Sequence, residues 1–459
     1  MDESKPRLRR IFAGVFGCYL GVVMLKFGNP PIMEKWVTAP GSFLEFVIGS
    51  PWPIAWGYSA LAVIALAGLG IAQWRVSPPQ RRVLVLPLVW LVWELAASVR
   101  SIDHQLSYPT LVHLFACCIC FYAGCFCLGE LESGSPFWAG VLAGFLLALA
   151  TGFEQQFGGL EQTRRYFYAY IYPQLHEVSP DYLKKMSSNR IFSTLFYPNA
   201  FAGAILLFTP PVLSVIAGAR RRFTFGARVF LVTVCGLASL ACLVWSGSKG
   251  GWLLCVLLIL LALLRLSFSR RLKVLLLGAL LFAGLAGFGW KYAGYLRKGA
   301  TSVVARFDYW EAAFRTAMAN PLLGTGPGTF AKPYQVLKRP ESEMARLVHN
   351  DYLEQASDSG WPGFLAYTAF ITAALVYAYP RKPTAATRPA GTGAVPMDAE
   401  EGDWHRWAVY LGLLGWALQG LFEFGLYIPA LAWPAFTMLG WLLCRPAGST
   451  PQQGASGSF

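Results

Sequence analysis

Three cations and one imidazole are the residues of this sequence best suited to chemistry. Arg190 precedes Ile-Phe-Ser-Thr-Leu-Phe-Tyr-Pro198-Asn199, and Lys249 sits in Ser246-Gly-Ser248-Lys249-Gly250-Gly251. Arg306 opens Arg306-Phe-Asp308-Tyr-Trp310-Glu311, and His349 opens His349-Asn350-Asp351-Tyr-Leu-Glu354. Cations gathered at one surface suit a phosphate or pyrophosphate, to which a guanidinium offers a two-pronged set of donors. Small residues around Lys249 let backbone approach such a group closely. The competing reading is that Arg and Lys near a membrane meet only lipid headgroups, and position alone favours that reading. Histidine exchanges protons near neutral pH and is the usual general base. Asn350, Asp351 and Glu354 are spaced to orient His349, although an isolated surface histidine is often inert.

The elements that must position these residues are membrane helices. The chain has 459 residues, 55% hydrophobic and 14% charged, with mean hydropathy +0.46. A soluble domain carries about 25% charged residues. Apolar runs at 11–27, 54–74, 83–99, 110–128, 137–152, 199–217, 229–245, 251–266, 274–292, 361–379, 407–426 and 430–444 approach the length needed to cross a bilayer. The expected fold is an all-α polytopic membrane protein with about 12 transmembrane helices. Basic residues Lys5, Arg7, Arg9 and Arg10 begin the chain, and Arg75, Arg81, Arg82, Arg220, Arg221, Arg222, Arg228, Arg270, Arg271, Lys273, Arg381, Lys382 and Arg445 fall on the same side. The positive-inside rule makes that side cytoplasmic, with both termini there. The expected organisation is N-terminal spans over 1–153, a medium extracytoplasmic loop over 154–198, and central spans over 199–292. A large extracytoplasmic catalytic loop over 293–360 follows, then C-terminal spans over 361–445 that hold a disordered linker at 380–406, then a disordered tail at 446–459.

The net charge of +14 is spread in short clusters between apolar runs, so no nucleic-acid partner is expected. All ten cysteines lie inside or at the end of apolar runs. No disulfide framework is expected, and Cys117 to Cys127 read as small buried hydrophobes. Glu94, His113, Lys249 and Glu423 are costly in a membrane; the two carboxylates are expected to pair with an Arg or Lys across helices, with snorkelling or an interhelix hydrogen bond the equal alternative for Glu94 and His113. Phe307, Trp310 and Phe314 recur at helical spacing, and Glu311 precedes Arg315 by four residues, which predicts an interfacial amphipathic helix over 306–318. Asn320-Pro321 ends it, and Gly324-Thr-Gly326-Pro327-Gly328 reads as turn chemistry. No Gly-Lys-Ser/Thr closes that stretch, so it is not a nucleotide loop.

Taken together, Arg306-x3-Trp310, Asn320-Pro-Leu-Leu-Gly-x-Gly-x-Gly-x-Phe, His349-Asn-x-x-Leu and Asp358-x-Gly-x-x-Gly363 resemble the signature of the O-antigen ligase and polymerase superfamily. Arg190…Phe196-x-Pro198-Asn199-x-x-Ala202 and Ser246-x-Ser248-Lys249-Gly-Gly-Trp252 are similar to its two upstream motifs. The resemblance implies a GT-C type, metal-independent glycosyltransferase of the bacterial inner membrane, without cofactor. Such an enzyme passes a glycan from undecaprenyl pyrophosphate to an acceptor hydroxyl at the outer face. By motif, Arg306 and Lys249, with Arg190, Asn199 and Ser248, would meet the pyrophosphate and glycan, and His349 would sit beside the acceptor hydroxyl. Asp308, Trp310, Asn350 and Glu354 would support them. One departure is Lys249, where the family usually has Arg. The acceptor implied is another lipid-linked glycan, lipid A-core, or a protein hydroxyl. The absence of a soluble C-terminal domain in this sequence favours polysaccharide over a protein O-oligosaccharyltransferase. A lipid-linked glycan flippase is the rival from another class. It would show internal repeats and charge near the bilayer midplane, whereas the charges here cluster in one loop.

Overall fold

The computed structural model describes residues 4–74, 78–129, 135–166, 168–169, 172, 183, 187–297, 301–340, 342–380 and 397–444. Arg75, Arg381, Lys382, Arg445, most of the expected linker and the tail lie outside them. The described residues are helical, with no strand. The first half holds α1 (Ser4–Lys26), α2 (Phe43–Ile48), α3 (Ile54–Leu69), α4 (Pro78–Val99), α5 (His104–Leu128), α6 (Pro136–Glu154) and α7 (Leu160–Tyr166). There follow α8 (Pro198–Gly218), α9 (Phe225–Ser246), α10 (Lys249–Arg265) and α11 (Arg270–Arg297). The polar interval contributes α12 (Thr301–Ala319) and α13 (Ala331–Leu337), and the chain closes with α14 (Asp351–Ala378), α15 (Met397–Gln419) and α16 (Pro429–Leu443).

Eight of these, α1, α4, α5, α6, α8, α9, α11 and α14, are long and apolar enough to cross a membrane. The expectation of about 12 exceeds this by α3, α10, α15 and α16. Three of those are 15 to 17 residues long, and α15 carries acidic residues through its first turns. The shortest, α16, is buried along its whole length. At about 1.5 Å per residue it falls short of a bilayer core, and it is wrapped by other helices, chiefly α5. Close approach is set by small residues. A Cβ on Gly144 of α6 would lie 2.4 Å from Cα of Gly21 in α1, and one on Gly140 would lie 2.3 Å from the backbone of Gly17. Both helices thus carry a Gly-x-x-x-Gly face, the packing device of helices in lipid.

Two expectations need correction. Residues 397–406 belong to α15 and not to a disordered linker. They are held there by Asp403, which receives Arg265 Nη2 at 2.6 Å. Cys125 and Cys444 are joined by a disulfide, while Cys117, Cys118 and Cys120 are buried thiols. For Glu94 the alternative holds: its Oε2 accepts an interhelix hydrogen bond from Ser359 Oγ at 2.6 Å, and it has no ion pair among the described residues.

The predicted helix over 306–318 lies within α12, and Glu311 pairs with Arg315 at 2.5 Å. Tyr309, Ala312 and Ala313 are its buried face, packed on Phe330, Tyr334 and Val348. The glycine-rich turn after it braces a kink in α14 at Gly360 (φ +70°). Gly326 N donates to Asp358 O at 2.8 Å and Gly328 N to Asp358 Oδ2 at 2.6 Å. A Cβ on Gly324, itself at φ +60°, would sit 2.3 Å from the Asp358 carbonyl carbon. This turn is a bracket for the helix that follows His349.

Candidate active site at one end of the bundle

The C-terminal end of α9 and the N-terminal ends of α8, α10 and α14 meet at one pole of the molecule, beside the turn that follows α15. That turn, 420–424, carries Glu423, whose residue is 5% exposed. Glu423 Oε1 accepts from Arg306 Nη2 and, at 2.6 Å, from Asn199 Nδ2. Its Oε2 lies 3.2 Å from His349 Nδ1. Arg306 also donates from Nε to Phe422 O at 3.0 Å. Asn199 Oδ1 accepts from Arg190 Nη2 at 2.6 Å, and Arg190 Nε donates to Ser246 O at 2.7 Å. One buried carboxylate therefore joins α8, α12 and the His349 turn. Burial alone would raise its pKa, but the hydrogen bond from His349 and the Arg306 guanidinium outweigh burial and hold it below the usual range.

His349 has φ +55°, in the left-handed region, which a non-glycine residue occupies only when its surroundings insist. Asn350 caps α14 by accepting from Tyr352 N and Leu353 N, each at 3.0 Å. Glu354 Oε2 accepts from Val348 N at 3.0 Å, and His349 O accepts from Trp310 Nε1 at 3.4 Å. Phe424 abuts the imidazole at 4.8 Å and Tyr309 at 5.7 Å, ring centre to ring centre. The His349 side chain is 29% exposed and that of Glu423 is 7% exposed. The imidazole thus reaches the surface and the carboxylate lies beneath it.

Lys249 occupies the first position of α10, just outside the apolar run at 251–266, where Ser248 Oγ caps the helix by accepting from Gly251 N at 3.2 Å. Its ammonium lies 5.4 Å from the Tyr292 ring centre. Burial lowers the Lys249 pKa to about 8, helped by the like charges of Arg190 and Arg306. Each of these influences disfavours the cation, and the attraction of a bound anion would oppose them. The small residues here serve packing: Cβ atoms on Gly247 and Gly250 would lie 3.1 Å from Arg190 Nε and 2.3 Å from the Phe422 ring.

Residues 231–368 match the family model of the O-antigen ligases. That stretch is similar to the O-antigen ligases. No curated protein matches it. The matched O-antigen ligase stretch holds Lys249, Arg306 and His349, whereas Arg190, Asn199 and Glu423 lie outside it. They join it only in three dimensions.

Not every expected site residue faces the cluster. Ser248 acts as a helix cap. Asp308 turns to Ser342 Oγ at 2.8 Å and toward Arg339 at 3.8 Å. Trp310, Asn350 and Glu354 hold the backbone around His349. His113 receives Trp433 Nε1 at 3.2 Å and lies 2.8 Å from Leu426 O, a link between helices. Glu423 has the cationic partner expected of it, Arg306. Its place beside His349 has one signal in the sequence, a lone carboxylate inside an apolar run.

Proposed function

We propose that this protein transfers a glycan from undecaprenyl pyrophosphate to an acceptor hydroxyl at the outer face of the bacterial inner membrane. The observation that carries the reading is the carboxylate of Glu423, which holds Arg306 on one oxygen and faces His349 with the other. The cation set and the candidate base therefore share one site. The acceptor oxygen attacks the anomeric carbon as the bond from that carbon to the pyrophosphate oxygen breaks, with inversion. His349 takes the hydroxyl proton, a contribution of about 10²–10⁴-fold for general bases. Arg306, Arg190 and Lys249 stabilise the charge that gathers on the leaving pyrophosphate, the electrostatic kind of contribution that is usually the largest.

The reading takes the fold as GT-C type with about 12 spans, α3, α10, α15 and α16 completing the set as short or polar helices inside the bundle. The basic residues Arg220 to Arg222 and Arg270 and Arg271 lie at the helix ends opposite to Asn199 and Lys249. By the positive-inside rule, this arrangement supports a site in the extracytoplasmic leaflet. We assign the acceptor as surface polysaccharide or lipid A-core, with protein O-glycosylation as the second reading.

The test is transfer by purified protein in detergent, from a lipid-linked glycan to a supplied acceptor, with His349→Ala and Arg306→Ala made separately. Each variant is expected to lose transfer at least about 100-fold. Undiminished transfer by both variants overturns the proposal. Turnover without a sealed membrane separates it from a flippase.

A further inference from the structure

We propose that Glu423 is a positioning residue that fixes the tautomer of His349, holding the proton on Nδ1 so that Nε2 faces the acceptor as the base. The inference deepens the glycan-transfer reading and rests on it. Glu423 Oε1 already receives two N–H donors, one of them the Arg306 guanidinium. Such an environment keeps a carboxyl ionised, and an ionised carboxylate only accepts. The proton between Oε2 and Nδ1, 3.2 Å apart, then comes from the ring. A neutral imidazole carries a single N–H, so its Nε2 bears the lone pair. The ring cannot turn freely to exchange the two nitrogens. Phe424 presses on it edge-on, Tyr309 lies along it, and the backbone beneath is pinned by Asn350 and Glu354. Nε2, across the ring from the Nδ1 that meets Glu423, projects away from the carboxylate.

The same carboxylate sets up an exchange between the two halves of the reaction. In the structure it offsets the charge of Arg306, which stands near Arg190 and Lys249. A pyrophosphate arriving at Arg306 takes over that role, and the carboxylate is left to His349. The acceptor O–H proton then passes to Nε2, the new C–O bond forms, and the electron pair of the broken bond departs with the pyrophosphate. The imidazolium that results keeps its Nδ1–H on Glu423, whose negative charge offsets it. Glu423 touches neither substrate and acts through its two neighbours.

The test is Glu423→Gln in the full-length protein, assayed beside His349→Ala and the double variant. The glutamine oxygen still accepts from Arg306 and Asn199, but its NH2 faces Nδ1 and forces the ring proton to Nε2. We expect kcat to fall about 10²–10⁴-fold, while donor KM stays level or falls because Arg306 has lost its counter-charge. The double variant should be no slower than His349→Ala alone, since residues acting as one unit are not additive. A Glu423→Gln enzyme that keeps its kcat while His349→Ala loses transfer overturns the inference and leaves the proposed function standing. A double variant slowed by the product of the single losses also overturns it. Full activity of His349→Ala would instead strike the proposed function itself. Should Glu423→Gln fail to fold, nitrogen NMR of ¹⁵N-histidine-labelled wild-type protein reads the tautomer directly. A protonated Nδ1 and bare Nε2 at His349 support the assignment, and the reverse pattern overturns it.

Discussion

The position where this chain departs from the usual motif, Lys249, gives a titration that an arginine would not. Its ammonium is held down to about pH 8 by burial and by the charges of Arg190 and Arg306. A lowered pKa means that the cation is present below that value and is lost as pH rises through it. About nine in ten molecules are then charged at pH 7 and about one in ten at pH 9. A hydrogen bond to a charged group contributes about 1.5–3 kcal/mol. The side chain is only half-buried, so solvent screening favours the lower end, roughly tenfold in donor affinity. Donor KM should therefore rise about fivefold between pH 7 and pH 9. The effect belongs in KM, because a bound pyrophosphate raises the Lys249 pKa again and keeps the complex charged. Lys249→Arg stays protonated over this range and should flatten the KM profile. The assay is initial-rate transfer in detergent with donor concentration varied at each pH. The reasoning is refuted if wild type and Lys249→Arg show the same rise in KM.

Other perturbations follow from single contacts. Glu354→Ala strips Val348 N of its buried acceptor and should cost about 1–3 kcal/mol; transfer should fall at least tenfold as His349 drifts, while donor binding persists. Gly144→Leu adds a side chain whose first carbon would lie 2.4 Å from Cα of Gly21; detergent size-exclusion should show loss of the monodisperse protein. Asp103 caps α5 through Gln105 N at 3.0 Å and pairs with Lys332 at 2.9 Å. Asp103→Ala should remove about 1 kcal/mol and lower the thermal midpoint, with little change in kcat.

Local pattern carried much of this architecture. The 306–318 helix was legible because aromatic and ionic side chains recur at its period. The glycine turn was legible because no other residue type accepts positive φ so readily at three positions so close together. The motif residues Arg190, Lys249, Arg306 and His349 could be picked out singly. What they share could not. Glu423 is 74 residues from His349, 117 from Arg306 and 224 from Asn199 along the chain, and only the packing of α8, α12, α14 and α15 brings them together. Hydropathy also overlooks what a protein environment permits: α16 is short because other helices surround it, so apolar length alone does not say which helices cross. The acidic start of α15 reads as disordered until Arg265 is seen opposite Asp403. Cys125 and Cys444, 319 residues apart, are neighbours only in the folded bundle.

The central claim is that these cations grip a pyrophosphate beside His349, and a structure of the His349→Ala variant with a lipid-linked glycan bound tests it most directly. The account predicts the pyrophosphate within hydrogen-bond reach of Arg306, Arg190 and Lys249, with the anomeric carbon turned toward position 349. A pyrophosphate bound at the opposite pole, or with its sugar directed away from that position, contradicts it.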